Sequence, residues 1–372
     1  MKLGWKHSSR AVGKRFVSSG SETSSAPVPP GVSIVVCCHN SADKLPQTLA
    51  HLAAQEVAGD PQWEVIVIDN ASTDETARVA RESWPQSSAG RLRVINEPQL
   101  GLSYARWRGF KEARYQFVCF VDDDNWVCPE WVRTVSEVMT THPEVGACGG
   151  FIEEACEDTP PWWFERYKNG YAPGAQGPAE GGDVTWRLFL MGAGITIRKS
   201  AWQHLIDSGF RFLLVGRQGT ALTAGEDHEL CHALCLAGWR LWYEPSLRLK
   251  HFLPRNRLKW RLLRRQSRGA GRCEAVLGLY LSNLSTQQPG STLRKILESI
   301  KETWSWQVLV SIRYLARRPF RLLWSFFYAF EGDYHIIWVE RQLGKFLELL
   351  ARRREYGLHV HEIREAAWRR AS

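Results

Sequence analysis

Three adjacent carboxylates, Asp122, Asp123 and Asp124, follow the apolar run "YQFVCFV" at residues 115–121. Packed together they repel one another, and a nearby cation must offset that repulsion. A hard divalent ion, Mn²⁺ or Mg²⁺, does so by taking oxygen ligands, one or two from carboxylates and the rest from substrate phosphates. Residues two apart in extended chain point the same way, so Asp122 and Asp124 form a two-pronged D-x-D metal site. The plainer reading has one Asp capping the next segment and the others solvated; three acids after a buried strand weigh against it. A second acidic group, Glu226, Asp227 and Glu229 in "GEDHEL", opens a helical stretch. Acids in a first helical turn gain about 0.3–1 kcal/mol from the macrodipole, which alone would account for them. In the same stretch His228, Cys231, His232 and Cys235 are potential zinc ligands. Four ligands on one straight helix cannot converge tetrahedrally, so these read as core residues.

The elements around these acids alternate. Strands are expected at 32–38 ("VSIVVCC"), 64–69 ("EVIVID"), 92–98 ("LRVINEP") and 115–121, with helices at 42–55, after "NASTD", and at 103–114. Pro46 is tolerable only in a first helical turn. Ser72 and Glu75 fit a capping box for the second helix. Strands alternating with helices imply an α/β fold with a mostly parallel sheet and helices on both faces. Ligands in such sheets bind beyond the carboxyl ends of the strands. There lie "CHN", "DNASTD" and "DDDN", and that coincidence is the strongest physical signal in the chain. The second half predicts strands at 146–154, in "GAGITIR" and in "WRLWYEP", helices at 199–208 and 225–238, and a Gly/Pro-rich aromatic loop from 159 to 183. A loop that long inside a compact domain is usually functional.

Seven segments in order, "VSIVVCCHN", "VIVIDNASTD", "GLSYARWRGF", "FVDDDN", "MGAGITIR", "GEDHEL" and "LWYEPSLRLKHF", resemble family 2 glycosyltransferases of the GT-A fold over residues 32–255. The resemblance implies a metal-bound nucleoside-diphosphate sugar donor and inversion at the anomeric carbon. It places Asp69 at the nucleotide base, Asp122 at the ribose or metal, and Asp124 as principal metal ligand, with His251 completing the metal shell. Cys38, His39, Asn40, Arg106 and Asp123 fall near the nucleotide. Gly192, Ala193 and Gly194 let the backbone approach donor sugar or acceptor. Asp227 stands where the family has its catalytic base, a carboxylate able to take the proton of an attacking hydroxyl. Cys38 and His39 replace the family's common Thr and Tyr, and Trp107 a common Asn, which leaves the base open between uridine and guanosine.

The expected organisation is a disordered basic leader (1–31), a GT-A domain (32–255, its nucleotide half ending at 125 and its acceptor half starting at 126), and a basic, aromatic-rich helical extension (256–372). The leader is Ser-rich and carries no apolar signal region, though an organellar transit peptide has similar composition. Of 372 residues 44% are hydrophobic and 23% charged, ordinary for a globular chain, whereas eighteen tryptophans are many. The net charge of +9 is uneven, with ten Lys or Arg and no acid between residues 248 and 272. Such a stretch attracts phosphate of some kind. Without a nucleic-acid motif, nucleic acid is not an expected partner. Residues 304–330 mix aromatics with arginine and suit either an interfacial helix on an anionic membrane or a subdomain packed on the catalytic unit. Nine irregularly placed cysteines suggest free thiols, hence a cytoplasmic enzyme, peripheral at the inner face of a membrane. The expected acceptor is a saccharide or lipid-linked saccharide in cell-surface polysaccharide or glycoconjugate synthesis. A sugar-phosphate nucleotidyltransferase and a non-catalytic carbohydrate- or lipid-binding scaffold are the rival functions.

Overall fold

The computed structural model describes residues 28–57, 62–214, 225–285, 300–301, 303–317, 319–320, 323 and 330–369. The expected leader up to residue 27, and residues 318, 321–322 and 324–329 of the aromatic tail, lie outside them. The chain runs β1 (Val32–Cys38), α1 (Leu45–Ala53), β2 (Trp63–Asn70), α2 (Thr76–Ser83), β3 (Leu92–Glu97), α3 (Leu102–Glu112), β4 (Phe117–Asp122) and β5 (Asn125–Val127). It continues through α4 (Trp131–Thr141), β6 (Val145–Cys156), the single turn α5 (Phe164–Tyr167), β7 (Gly182–Asp183), β8 (Ile195–Arg198), α6 (Lys199–Asp207), α7 (Glu226–Leu236) and β9 (Arg240–Leu253). The C-terminal helices are α8 (Trp260–Ser285), α9 (Trp304–Ala316), α10 (Tyr334–Ala351) and α11 (Tyr356–Glu365).

One sheet, ordered β3-β2-β1-β4-β8-β6-β9-β5 with β7 also on β9, is built from strands between Val32 and Leu253. β1, β2, β3 and β4 pair parallel, and β6 and β9 run with them, while β8 and β5 are antiparallel to their neighbours. Both faces are covered, which is why the strands read as continuous apolar runs. Val35, Ile66 and Ile68 pack on one face with Phe110 and Trp202. Ile34, Val36 and Val67 pack on the other with Leu45, Leu49 and Trp131. Each large apolar side chain buried this way contributes about 1.5–3 kcal/mol.

Three details depart from the sequence expectations. The Ser72/Glu75 capping box does not form. The helix begins at Thr76, and Asp74 Oδ1 takes the Thr76 N–H at 3.0 Å while Ser72 Oγ accepts from the Asn40 backbone instead. The last strand does not stop at Pro245 but continues to Leu253, alternating buried Leu247, Leu249 and His251 with exposed basic residues. A short strand, β5, follows the triple aspartate directly and pairs with that extension.

The C-terminal helices join the same core. Val276 and Tyr280 of α8, Leu349 of α10, Ile363 of α11 and Trp368 belong to the apolar cluster that includes Leu230 and Leu234 of α7. α8 and α10 touch backbone to backbone: a Cβ on Gly271 would lie 1.8 Å from Arg341 O, and one on Gly344 2.0 Å from Arg268 O. Beside this crossing the buried Glu340 binds Arg264 at 2.6 Å and accepts from Arg268 Nε at 2.7 Å.

Candidate active site

Parallel pairing brings the carboxyl ends of β1, β2 and β4 level, with Cys38 opposite Asp69 and Cys37 opposite Asp122. The polar rim is laced together by the loops after β1 and β2. His39 Nδ1 lies 2.8 Å from Asn70 O, Asn40 Oδ1 accepts from Thr73 N at 2.8 Å, and Ser41 N donates to Thr76 Oγ1 at 2.8 Å. Asn70 reaches further, accepting from Gly101 N at 2.8 Å and so fixing the start of α3. Asp69 Oδ1 is buried there and has no hydrogen-bond partner. A buried acceptor left so is costly, and a ligand N–H would satisfy it.

The three aspartates point to three different partners. Asp122 ends β4 facing Arg106, whose charge it helps to stabilise. Asp123 turns back to α1, where it accepts from Ser41 Oγ and pairs with Lys44 Nζ at 3.2 Å. Burial and the neighbouring Asp124 raise its pKa. Its side chain therefore ties the turn to α1 instead of facing a nucleotide, contrary to its expected place in the nucleotide site. Asp124 is brought to His251 because β5 pairs with β9 in the register Asn125 to His251. Its Oδ1 lies 3.5 Å from His251 Nε2, and its Oδ2 accepts from Arg257 Nη1 at 3.0 Å. Burial pushes the Asp124 pKa up, and the positive groups around it, Arg257 and Lys44 among them, bring it below the ordinary carboxylate value.

Arg106, on α3, links this rim to the second acidic group. It pairs with Glu226 at 3.0 Å, and a Cβ on Gly192 would come within 3.0 Å of its Nη2. Burial pulls its pKa down, and Glu226, Asp122 and Asp227 more than restore it. Asp227 Oδ2 accepts from Gly192 N at 2.8 Å and Oδ1 from His228 N at 2.9 Å. Burial pushes Asp227 up, yet His228, Arg106 and these two N–H groups leave its pKa below the usual value. The carboxylate is thus ionised at neutral pH. Gly225, with φ of 107°, starts this helix in a conformation that favours glycine.

Several expected site residues sit elsewhere. Cys38 points into the core among Val36, Leu45 and Leu49, and burial raises its thiol pKa well above the ordinary value. The strand period turns the adjacent Cys37 to the opposite face, toward Arg106 and Asp122; burial takes it to about 12. Ala193 and Gly194 also belong to the core; a Cβ on Gly194 would meet Leu249 at 2.5 Å and Trp131 at 2.8 Å. Only Gly192 of that triplet touches the acids. Of the His/Cys set of α7, Cys231 and His232 are buried, and burial lowers His232 to about 4, while His228 and Cys235 are half-buried. Sequence reasoning missed Lys44 and Arg257. Arg257 lies in a run of ten basic residues, and no spacing distinguishes it from its neighbours.

Among the described residues no three His, Cys, Asp or Glu side chains converge on one point. Asp124 and His251 alone give an oxygen and a nitrogen donor, which fits Mn²⁺ or Mg²⁺ when a diphosphate supplies further oxygens.

The sheet, its acidic rim and its helical cover define an α/β unit with a polar site at the carboxyl ends of its parallel strands. Residues 33–205 match the family described as "Glycosyl transferase family 2". That segment carries the family's sequence pattern, within a mixed α/β sheet unit that is followed by C-terminal helices. It is 28% identical over 130 residues to "Putative glycosyltransferase EpsH" of Bacillus subtilis, a match covering 35% of this chain and 36% of that protein. It is 31% identical over 121 residues to "Chondroitin synthase" of Escherichia coli, covering 32% of this chain and 17% of that one. These matches thus span 36% of the first relative's length and 17% of the second's. Among solved structures, S. aureus TarS 1-349 in complex with UDP-GlcNAc is 16% identical, with a TM-score of 0.48 and coverage of 91% of this chain and 88% of that one.

Proposed function

We propose that this chain is a metal-dependent, inverting glycosyltransferase. It moves a sugar from a nucleoside diphosphate to a hydroxyl of a saccharide or lipid-linked acceptor, in cell-surface polysaccharide or glycoconjugate synthesis. One observation carries the reading. An ionised, half-buried Asp227 is held by the Gly192 N–H and joined through Arg106 to the rim that carries Asp122.

Asp69 Oδ1 offers an unpaired acceptor to the nucleotide base. Asp124 and His251 would hold the divalent cation, with Asp122 on the same turn, and the cation would offset charge on the departing diphosphate. Asp227 takes the proton of the acceptor hydroxyl as that oxygen attacks the anomeric carbon. The bond from that carbon to the diphosphate oxygen breaks, and the nucleoside diphosphate leaves with the electron pair. Inversion follows because a single displacement needs one base and no carboxylate nucleophile. The Gly192 and His228 N–H groups fix the carboxylate, and Arg106 keeps the charges of Glu226, Asp122 and Asp227 compatible.

Asp227→Asn tests this. It keeps shape but cannot accept the proton. Transfer from sugar nucleotides with Mn²⁺ should fall by roughly 10²–10⁴-fold while UDP or GDP affinity stays within a few fold. Full turnover in this variant would mean that the base lies elsewhere.

The exposed face of α9 favours peripheral contact with an anionic membrane, and with it a place at the cytoplasmic face. Leu309 is 57% and Ile312 46% exposed, and Phe320 beyond the helix is 77% exposed, beside exposed Arg313 and Arg317. No helix among the described residues is long and apolar enough to cross a membrane. An apolar row edged with arginine suits the headgroup boundary.

A further inference from the structure

Arg257 stands at the junction of Asp124 and His251. Its Nη1 is 3.0 Å from Asp124 Oδ2 and 3.0 Å from His251 Nε2. All three side chains are largely buried, at 16%, 9% and 7% exposure for Arg257, Asp124 and His251. Arginine does not give up its proton in a protein, so Arg257 is a donor in both contacts and His251 Nε2 is the acceptor. The Nε2 lone pair and the Asp124 carboxylate are the same electron pairs that a divalent cation would take. The Nε2 lone pair cannot serve a guanidinium N–H and a metal ion at once, and although the carboxylate has further lone pairs, the two cations at contact distance repel.

Arg257 lies outside the long strands and helices. It sits in the single 3-10 turn Arg255–Leu258 between the end of β9 and the start of α8, where the Arg257 N–H bonds Pro254 O. Its charge reaches Tyr171, whose buried hydroxyl has no hydrogen-bond partner. The Tyr171 hydroxyl is thus one further oxygen within reach of its charge.

Taking Asp124 and His251 as the metal pair of the proposed transferase, we propose that Arg257 is an exchangeable counter-ion for that pair. Without nucleotide it keeps Asp124 and His251 neutralised and together, and it competes with free divalent cation for them. When a nucleoside diphosphate arrives with its cation, Arg257 yields the pair and turns to the diphosphate oxygens, which a planar guanidinium can bind in a fork. The competition makes metal and diphosphate bind together, so the chain discriminates against bare Mn²⁺ and against metal-free nucleotide.

The test uses the full chain and the variants Arg257→Gln, Arg257→Lys and Asp124→Asn, each checked by circular dichroism. Electron paramagnetic resonance counts free Mn²⁺ during titration, first alone and then with UDP or GDP present. Arg257→Gln should bind Mn²⁺ alone at least 10-fold more tightly than the parent, yet bind Mn²⁺ with the diphosphate at least 10-fold more weakly. Arg257→Lys, which keeps the charge, should restrain bare Mn²⁺ nearly as the parent does. Unchanged or undetectable Mn²⁺ binding by folded Arg257→Gln would overturn the competition. Tighter binding in both arms would overturn the diphosphate contact. Asp124→Asn separates the premise from the proposal: if it leaves Mn²⁺ binding with the diphosphate intact, the metal pair itself is misassigned.

Discussion

Glu229 has no solvent exposure and lies two residues after the proposed base. Its Oε1 accepts from Leu213 N at 2.8 Å and from the Tyr280 hydroxyl at 2.6 Å, and its Oε2 from Leu214 N at 2.8 Å. Arg352, which also donates to Leu213 O at 3.1 Å, adds a positive charge nearby. Burial nonetheless prevails and raises the Glu229 pKa from 4.5 to about 7. The folded protein therefore holds this proton more tightly than the unfolded chain does. Between pH 4.5 and pH 7 the native state carries more protons, so stability must fall as pH rises through that window. At about 1.4 kcal/mol per pH unit the full penalty is about 3 kcal/mol, of which roughly 2.5 kcal/mol develops between pH 5 and pH 8.

Glu229→Gln removes the ionisation. The amide forfeits at least one of the three hydrogen bonds, but that loss hardly changes with pH, so the pH dependence isolates the charge. Urea unfolding of parent and variant at pH 5 and pH 8 measures it. The variant should gain about 2.5 kcal/mol relative to the parent on going from pH 5 to pH 8. A relative change below about 0.5 kcal/mol would show that the three donors and Arg352 offset burial completely, and the argument from desolvation would fail.

Other outcomes follow from the geometry. Gly192→Ala would put a Cβ 2.8 Å from Asp227 Oδ2 and 3.0 Å from Arg106 Nη2. Transfer should drop at least 100-fold with little change in UDP or GDP affinity by calorimetry, and normal turnover would remove Gly192 from the site. Asp69→Ala deletes the unpaired acceptor and should weaken nucleotide binding by roughly 10-fold, as loss of one ligand hydrogen bond does. Replacing Arg313 and Arg317 by Gln should release the protein from anionic vesicles at lower salt, since each contributes about 1 kcal/mol near such a surface. Equal co-sedimentation of parent and variant would leave α9 without a membrane role.

The nucleotide half was legible because its code is local. Strands buried on both faces are apolar throughout, and parallel topology fixes which ends carry ligands. Asp69, Asp122 and Asp124 stand out for the same reason, because a carboxylate after an apolar run is conspicuous, whereas Asp227 is singled out only by the family resemblance. Side-chain direction was not. Cys37 and Cys38 differ only by the phase of one strand, and that phase depends on packing across the sheet. Nor was the pairing of β5 with β9, which closes 126 residues of intervening chain to set His251 against Asp124. Long-range pairing of that kind leaves no periodic trace. Asp123 illustrates a third failure. It is equivalent to its neighbours in sequence, and only the position of Ser41 and Lys44 decides that it faces inward.

The same reasoning bears on how separable the C-terminal helices are. A chain ending at residue 285 would keep the whole sheet and α8 but lose α10 and α11. It would then lack Leu349, Ile363 and Trp368, which are 0%, 5% and 5% exposed. Trp368 meets Phe210 edge to face at 5.5 Å, and Arg352 would no longer hold Leu213 O beside Glu229. Three large apolar side chains at about 1.5–3 kcal/mol each amount to roughly 5–9 kcal/mol. That is comparable to the about 5–15 kcal/mol by which whole domains are stable. The surface left bare is that of α8, on which α10 and α11 pack and which itself packs against the helix that carries Asp227. The truncated chain should therefore lack a cooperative thermal transition by circular dichroism and fail to bind UDP or GDP with Mn²⁺. Cooperative unfolding and parent-like nucleotide affinity in that truncation would show that α10 and α11 are appended to a self-sufficient unit. The helices would then be free to serve the membrane alone.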